Sequence, residues 1–367
     1  MTNTGRRPPD HWLAVRTGHL GDVVLTTGVL AWLGETRGWT FDVLTSPPFE
    51  ELFAGHPHVR RVLALDSRQG IARLFRICGD LASERRGWGL LDLHGSLRAR
   101  ILASRWRGPV ARYRKMALTR RFFLLGNRFP GLSPLRGLSR SLTGLSVPQR
   151  YALAVCPAAP PSPRLLLPRV FPAPAELQAA RERLGAIFRR SGQPPVALHP
   201  QAAHPLKAWP PRHYAALVQA LDQRGIPWIC LGQGTALFPD RAEDLTGRTS
   251  LRETCALLSL CRCLISGDSG PLHLAAAVGA PVVGLFGPTT REWGFYPAGE
   301  RDKVLELPLP CRPCSLHGQN SCPRSGECLA GIAPAQVLRE VENFPPGERA
   351  AAPSPDLPLS RLPAWEK

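Results

Sequence analysis

Short apolar runs bounded by turn residues alternate along the chain with longer segments of helical character. Trp12-Leu-Ala-Val-Arg-Thr17 reads as a buried strand followed by the turn Gly18-His-Leu-Gly21. From Asp22 to Leu33 the pattern predicts a helix closed by Gly34. Residues 41–45, 62–65 and 89–94 are strand-like, with helical segments between them. A second series begins near residue 175. It has helices over 175–190, 211–224, 250–260 and 271–278, strands over 195–199, 228–231, 263–266 and 281–286, and a last helix over 334–341. Strands alternating with helices predict an α/β fold with doubly wound parallel sheets.

A chain of 367 residues is too long for one ordinary core and suggests two domains. The stretch from Cys156 to Pro174 is rich in proline and marks the junction. The expected organisation is a Rossmann-like domain over 1–160, a linker over 161–174, a second Rossmann-like domain over 175–344 and a flexible Pro- and Ala-rich tail over 345–367.

The formal charge of +18 is unevenly spread. Residues 1–165 hold 25 Lys+Arg against 10 Asp+Glu, a net of +15, while residues 166–367 hold 21 against 18, a net of +3. A basic half points to an anionic partner: nucleic acid, an anionic membrane surface or a phosphorylated substrate. Neither aromatic-basic interleaving nor a helix-turn-helix signature is apparent, which argues against nucleic acid. No apolar run is long enough to span a bilayer, and the basic N-terminus has no apolar stretch behind it to make a signal peptide. The expected location is the cytoplasm, and the expected state a monomer. Of ten cysteines, Cys78, Cys156, Cys230, Cys255, Cys261 and Cys263 sit in apolar or helical surroundings and read as small buried hydrophobes.

In a doubly wound sheet, ligands bind beyond the carboxyl ends of the strands. Three such junctions carry chemistry. At the first, Gly18 and Gly21 allow a tight turn that sets Asp22 at the mouth of a helix. A first-turn carboxylate complementing the helix dipole is the bland reading, and a general base facing the cleft is the functional one. At the second, Lys207 follows a polar loop and precedes Pro210-Pro211, which opens a helix. A loop lysine is usually just solvated, yet a fixed cation here would suit a leaving diphosphate.

The third junction, Gly267-Asp-Ser-Gly-Pro-Leu-His273, puts Pro271 in the first helical turn and leaves amides near Ser269, Gly270 and Leu272 to face an anion. The competing reading is a structural helix capped by Asp268 and Ser269, with His273 packed inward.

These junctions belong to a longer set of motifs. In order, they are Gly18-His-Leu-Gly-Asp-Val-Val-Leu-Thr-Thr27, Asp92-Leu-His-Gly-Ser-Leu-Arg98, Arg112-Tyr-Arg-Lys115, His199-Pro200 with Lys207-Ala-Trp-Pro210, Leu245-Thr-Gly-Arg-Thr-Ser-Leu251, and Gly267-Asp-Ser-Gly-Pro-Leu-His273 with Leu285-Phe-Gly-Pro288. In this order, over roughly residues 12–340, the chain resembles glycosyltransferase family 9, the ADP-heptose:lipopolysaccharide heptosyltransferases. The resemblance implies a GT-B fold, two Rossmann-like domains facing a central cleft, and an inverting, metal-independent sugar transfer that needs no cofactor.

By matching position, Asp22 would be the base. Lys207, Asp268, Ser269, Gly270 and His273 would bind the nucleotide-sugar donor. Arg98, Lys115 and Arg120 would bind an anionic glycolipid or glycan acceptor, with peripheral contact at the inner membrane surface. Two departures stand out: Gln201 follows Pro200 where the family often has glycine, and the segment 231–240 lacks the acidic residue many members offer to the nucleotide ribose. Alternatives are a sugar-nucleotide epimerase of the same fold, or a non-catalytic protein that binds anionic ligands or nucleic acid.

Cys311, Cys314, Cys322 and Cys328 have spacing compatible with a small tetrahedral zinc site, which would be structural. Reduced thiols or one local disulfide are the other reading.

Overall fold

The computed structural model describes residues 9–66, 71–129, 131–132, 144–318, 321–322 and 324–345. Nearly all of the expected tail lies outside the described residues.

The first half contains β1 (His11–Val15), α1 (Leu20–Arg37), β2 (Thr40–Thr45), β3 (Val59–Ala64), α2 (Ile71–Glu84), β4 (Gly89–Asp92), α3 (Leu97–Arg105), β5 (Val110–Arg112), α4 (Ala117–Arg128) and α5 (Val147–Ala152). Its sheet is parallel throughout, in the order β3-β2-β1-β4-β5. The second half contains α6 (Pro174–Ser191), β6 (Val196–His199), α7 (Pro211–Gln223), β7 (Trp228–Cys230), α8 (Leu251–Leu258), β8 (Cys263–Gly267), α9 (Gly270–Ala277), β9 (Val282–Phe286), β10 (Lys303–Glu306), α10 (Glu327–Ala330) and α11 (Pro334–Glu342). Its sheet is also parallel, in the order β10-β9-β8-β6-β7. These are the two doubly wound domains of a GT-B fold.

Each sheet reverses its winding once, between β1 and β4 in the first and between β6 and β8 in the second. Adjacent loops diverge at such points and leave a crevice beyond the strand ends. The loops leaving these four strands carry Arg16–Asp22, His94–Arg98, Gln201–Lys207 and Asp268–Ser269. The winding therefore gathers the chemistry-bearing segments at the two switch points.

The helix expected to end at Gly34 runs on to Arg37, with Gly38 in the left-handed conformation (φ 69°) as its cap. Gly34 sits inside the helix because the His58 ring occupies the space a Cβ would need. The edge strands β5 and β10, of three and four residues, were not foreseen; their partly exposed side chains give no continuous apolar run. The proline-rich junction is packed. Its turn over Pro163–Leu166 buries Leu166, and the Arg169 backbone N–H donates to Thr27 Oγ1 of α1 at 2.8 Å. One apolar cluster runs from Val23, Val29 and Leu30 of α1 through Leu166 and Val170 to Leu272, Leu274 and Ala277 of α9. The two halves thus share a core through the α1–α9 contact.

Candidate functional site

Asp22 lies in the first turn of α1, where the dipole favours a carboxylate. Its Oδ2 pairs with Arg16 Nη2 at 2.5 Å, and its Oδ1 accepts from the Tyr151 hydroxyl at 2.9 Å. Arg16 is anchored in turn to the Leu93 carbonyl at 2.8 Å, where β4 ends. Tyr151 is fully buried, and that burial pushes its hydroxyl pKa well above the usual value, so it remains a donor. His19, just before α1, has φ 61° and ψ 115°, a conformation that costs a non-glycine residue energy and recurs at functional turns.

Across the cleft, Lys207 Nζ pairs with Asp268 Oδ2 at 2.6 Å, and the same oxygen accepts from Thr289 Oγ1 at 2.7 Å. The Ser269 side chain makes no capping bond to α9; its Oγ meets Ser266 Oγ at 2.9 Å and His199 Nδ1 at 3.4 Å. Burial lowers the His199 ring to a pKa of about 4, so it is neutral at physiological pH. Both carboxylate and hydroxyl are engaged elsewhere, and the N-cap side chain of Ser269 makes no bond to the first amides of α9. The first amides of α9 are thus not capped by Ser269, and amides at a helix start suit an anion.

The two sides meet. A Cβ on Gly21 would lie 2.9 Å from the His273 ring and 3.7 Å from the Gly270 Cα. Only glycine allows the turn before Asp22 to approach the start of α9 so closely. His273 is buried in this contact, its pKa lowered by burial while Asp268 and Asp22 oppose the shift. It acts as a packing wedge between the halves.

Beside this contact opens a cavity of about 380 Å³, a size that suits a small-molecule ligand. Its polar wall holds His199, Gln201, Lys207, Asp268 and Ser269, and its apolar wall Leu231, Leu251, Leu258 and Leu274. Gln201 Oε1 is buried there without a hydrogen-bond partner.

The basic residues expected on the acceptor side are dispersed. Lys115 packs near Gly95 and, after burial and Arg16, contributes to lowering the neighbouring His94 ring to a pKa of about 4. Arg98 lines a small crevice with Thr17 and Ser96. Arg120 reaches the donor side, where burial first and then Lys207, Arg120, His204 and His19 lower the pKa of His317. Its Nε is buried without a partner. Arg16, Tyr151, Thr289, His199 and His317 escaped the sequence reading of the site. Of these, Arg16 and His199 stood inside quoted segments, without a role assigned to them.

The four clustered cysteines all carry free thiols. Cys314 is pushed up to a pKa of about 11, mainly by burial and then by Cys311, Cys328 and Cys322. Among the described residues, no three His, Cys, Asp or Glu side chains converge as metal ligands, so the expected zinc site is not assembled. The loop is tied instead by Arg312, which donates to the carbonyls of Gly287 and Leu307 at 2.5 Å and pairs with Glu306 at 2.6 Å.

Residues 168–322 match the family model for glycosyltransferase family 9 (heptosyltransferase). Lipooligosaccharide heptosyltransferase 2 of Campylobacter jejuni is 31% identical over 109 residues, 28% of this chain and 32% of that protein. The match thus spans about a third of that relative's length. Lipopolysaccharide heptosyltransferase 1 of Pseudomonas aeruginosa is 27% identical over 330 residues, 82% of this chain and 85% of the relative. The solved structure of E. coli ADP-heptose lps heptosyltransferase II superposes with a TM-score of 0.65 at 19% identity, covering 91% of this chain and 98% of that one. The C-terminal match and the relative aligned over most of both chains make this chain similar to glycosyltransferase family 9, the heptosyltransferases, and the superposed structure shows that it shares their two-domain fold.

Proposed function

We propose that this protein transfers a heptosyl group from a nucleotide-diphosphate donor, ADP-heptose, to a lipopolysaccharide-core or related surface-glycan acceptor. The observation that carries the reading is the uncapped start of α9, with Lys207 and Asp268, standing against the turn that presents Asp22. The names of the relatives support the choice of sugar and acceptor.

In this reading the cavity holds the nucleotide and the α9 amides hold the diphosphate. The acceptor hydroxyl gives its proton to Asp22 as its oxygen attacks the anomeric carbon. The bond from that carbon to the diphosphate oxygen breaks, and its electron pair leaves with the diphosphate. Lys207 and the α9 amides meet the charge that develops there. Attack opposite the leaving group inverts the anomeric configuration. The protein's own cations compensate the leaving group, so the reaction is read as metal-independent.

Arg16 pairs with Asp22, and the Tyr151 hydroxyl aims it. Each carboxylate oxygen retains a second acceptor site for the incoming proton. Arg98 and Lys115 are assigned to the anionic acceptor. Arg120, beside His317 and Lys207, is placed where acceptor and diphosphate approach each other. Among the described residues no helix is long and apolar enough to cross a membrane. The proposed setting is the cytoplasmic face of the inner membrane, with the protein acting as a monomer.

The test is incubation with ADP-heptose and an acceptor glycolipid, for the wild type and Asp22→Asn. Transfer by the wild type, and its loss in Asp22→Asn with nucleotide affinity retained, supports the reading. Release of a free epimer, or transfer by Asp22→Asn at the wild-type rate, overturns it.

A further inference from the structure

The two sides of α4 have different surroundings. Its inner side closes on the cleft: the Phe123 ring meets Trp293 edge to face at 5.9 Å, and Asn127 Nδ2 donates to the Pro313 carbonyl at 3.1 Å. Its outer side carries Leu118, Phe122 and Leu125, continued past the helix end by Phe129 and Leu132. These five are 66, 39, 40, 47 and 43% exposed, respectively. Within the helix, Leu118, Phe122 and Leu125 fall in an arc of about 60°, and Phe129 and Leu132 follow beyond the helix end. Single exposed apolar residues need no explanation, but three on one helix face with two more just beyond its end do.

The charge around the stripe is one-sided. Arg114, Lys115, Arg121 and Arg128 are exposed beside it, and the Arg128 guanidinium lies over the Phe129 ring at 5.7 Å. From Leu93 to Ala175 the chain contains fifteen Arg and Lys and no Asp or Glu. Four exposed cations therefore flank the apolar face of α4, and neither the helix nor the adjoining sequence contains a carboxylate.

We infer that the outer face of α4 lies in the interface of an anionic phospholipid bilayer. Leu118, Phe122, Leu125, Phe129 and Leu132 enter the boundary between headgroups and acyl chains, and the flanking arginines meet lipid phosphates. A second copy docked face to face would bring these cations against their own like, which disfavours self-association here. Because the other side of the same helix touches Trp293 and Pro313, docking holds the mouth of the cleft at the lipid surface. The inference rests on the proposed membrane setting and adds the surface that meets the lipid, and it is measured without turnover.

The experiment is co-sedimentation of the full chain with vesicles of phosphatidylglycerol and phosphatidylethanolamine, and separately of phosphatidylcholine. The expected result is partitioning onto the anionic vesicles that weakens as salt is raised, with little onto phosphatidylcholine. A Leu118→Ser, Phe122→Ser, Phe129→Ser variant should lose at least about tenfold in partitioning while keeping its melting temperature and nucleotide affinity. Phe122→Leu should keep its binding. Should the triple variant fold poorly, Phe122→Ser alone gives the same reading, with a loss of about threefold. Equal sedimentation of serine variants and wild type overturns the inference, as does a wild-type dimer in solution that the serine substitutions dissociate.

Discussion

The Tyr151 hydroxyl donates to Asp22 Oδ1 at 2.9 Å and so joins α5 to the start of α1. The neighbouring Arg150 reaches the other half, donating to the Trp293 and Glu292 carbonyls at 3.0 and 2.7 Å. Two successive residues of one short helix thus hold the proposed base and grip the opposite domain. The carboxylate's aim is coupled to the seating of the two halves.

Replacing Tyr151 with phenylalanine removes that hydrogen bond and keeps the ring. A positioned base that loses one neutral donor should lose about tenfold in kcat, with donor KM unchanged. Steady-state kinetics at saturating donor checks this, and an unchanged kcat would show that Tyr151 does not position the base.

Lys207→Ala should weaken a nucleoside diphosphate by about tenfold or more and leave the uncharged nucleoside almost unaffected, because only the former carries the charge that the ammonium meets. Titration calorimetry with the two ligands distinguishes them. Equal losses for both would assign Lys207 to the shape of the pocket.

Gly232 and Gln201 are predicted to be interdependent. A Cβ at 232 would stand 2.0 Å from Gln201 Oε1, so Gly232→Ala must push the glutamine amide into the nucleotide cavity. Nucleotide affinity should fall in Gly232→Ala and recover in Gly232→Ala with Gln201→Gly. The double-mutant cycle reads the coupling directly, and strict additivity would contradict it.

His56 is a buried ring within 3.0 Å of the Thr27 carbonyl, and its pKa is lowered to about 4, chiefly by burial. Unfolded, it takes up a proton near pH 6.5, so between about 6.5 and about 4 the unfolded chain binds more protons than the folded one. Its contribution is complete above pH 6.5 and is lost as pH falls toward 4, up to roughly 3 kcal/mol at the lower end. The melting temperature of the wild type should drop over that window. In His56→Asn, lower at neutral pH, it should drop less steeply. Parallel slopes would count against the assignment.

Alternation of apolar strands and amphipathic helices was enough to read two parallel α/β units, because the doubly wound fold writes its period into the chain. The segments bearing Asp22, Lys207 and Asp268 were legible for the same reason: the fold puts ligands where strand gives way to helix, and that point is marked locally by glycine, proline and a polar residue. The short edge strands β5 and β10 were not legible, since half-exposed strands of three or four residues leave no period to count. The zinc expectation rested on spacing alone, and spacing does not say whether thiols converge.

The sequence by itself determined the strand-to-helix junctions that carry Asp22, Lys207 and Asp268, since those are set by backbone conformation and capping within a few positions. Tertiary structure alone decided that Arg16 and Tyr151 hold Asp22, that Thr289 shares Asp268 with Lys207, and that α4 turns Leu118, Phe122 and Leu125 outward while Phe123 faces Trp293. These relations join positions as far as 129 residues apart, or depend on which side of a helix finds a neighbour. Both are outcomes of packing the whole chain, for which no local pattern stands in.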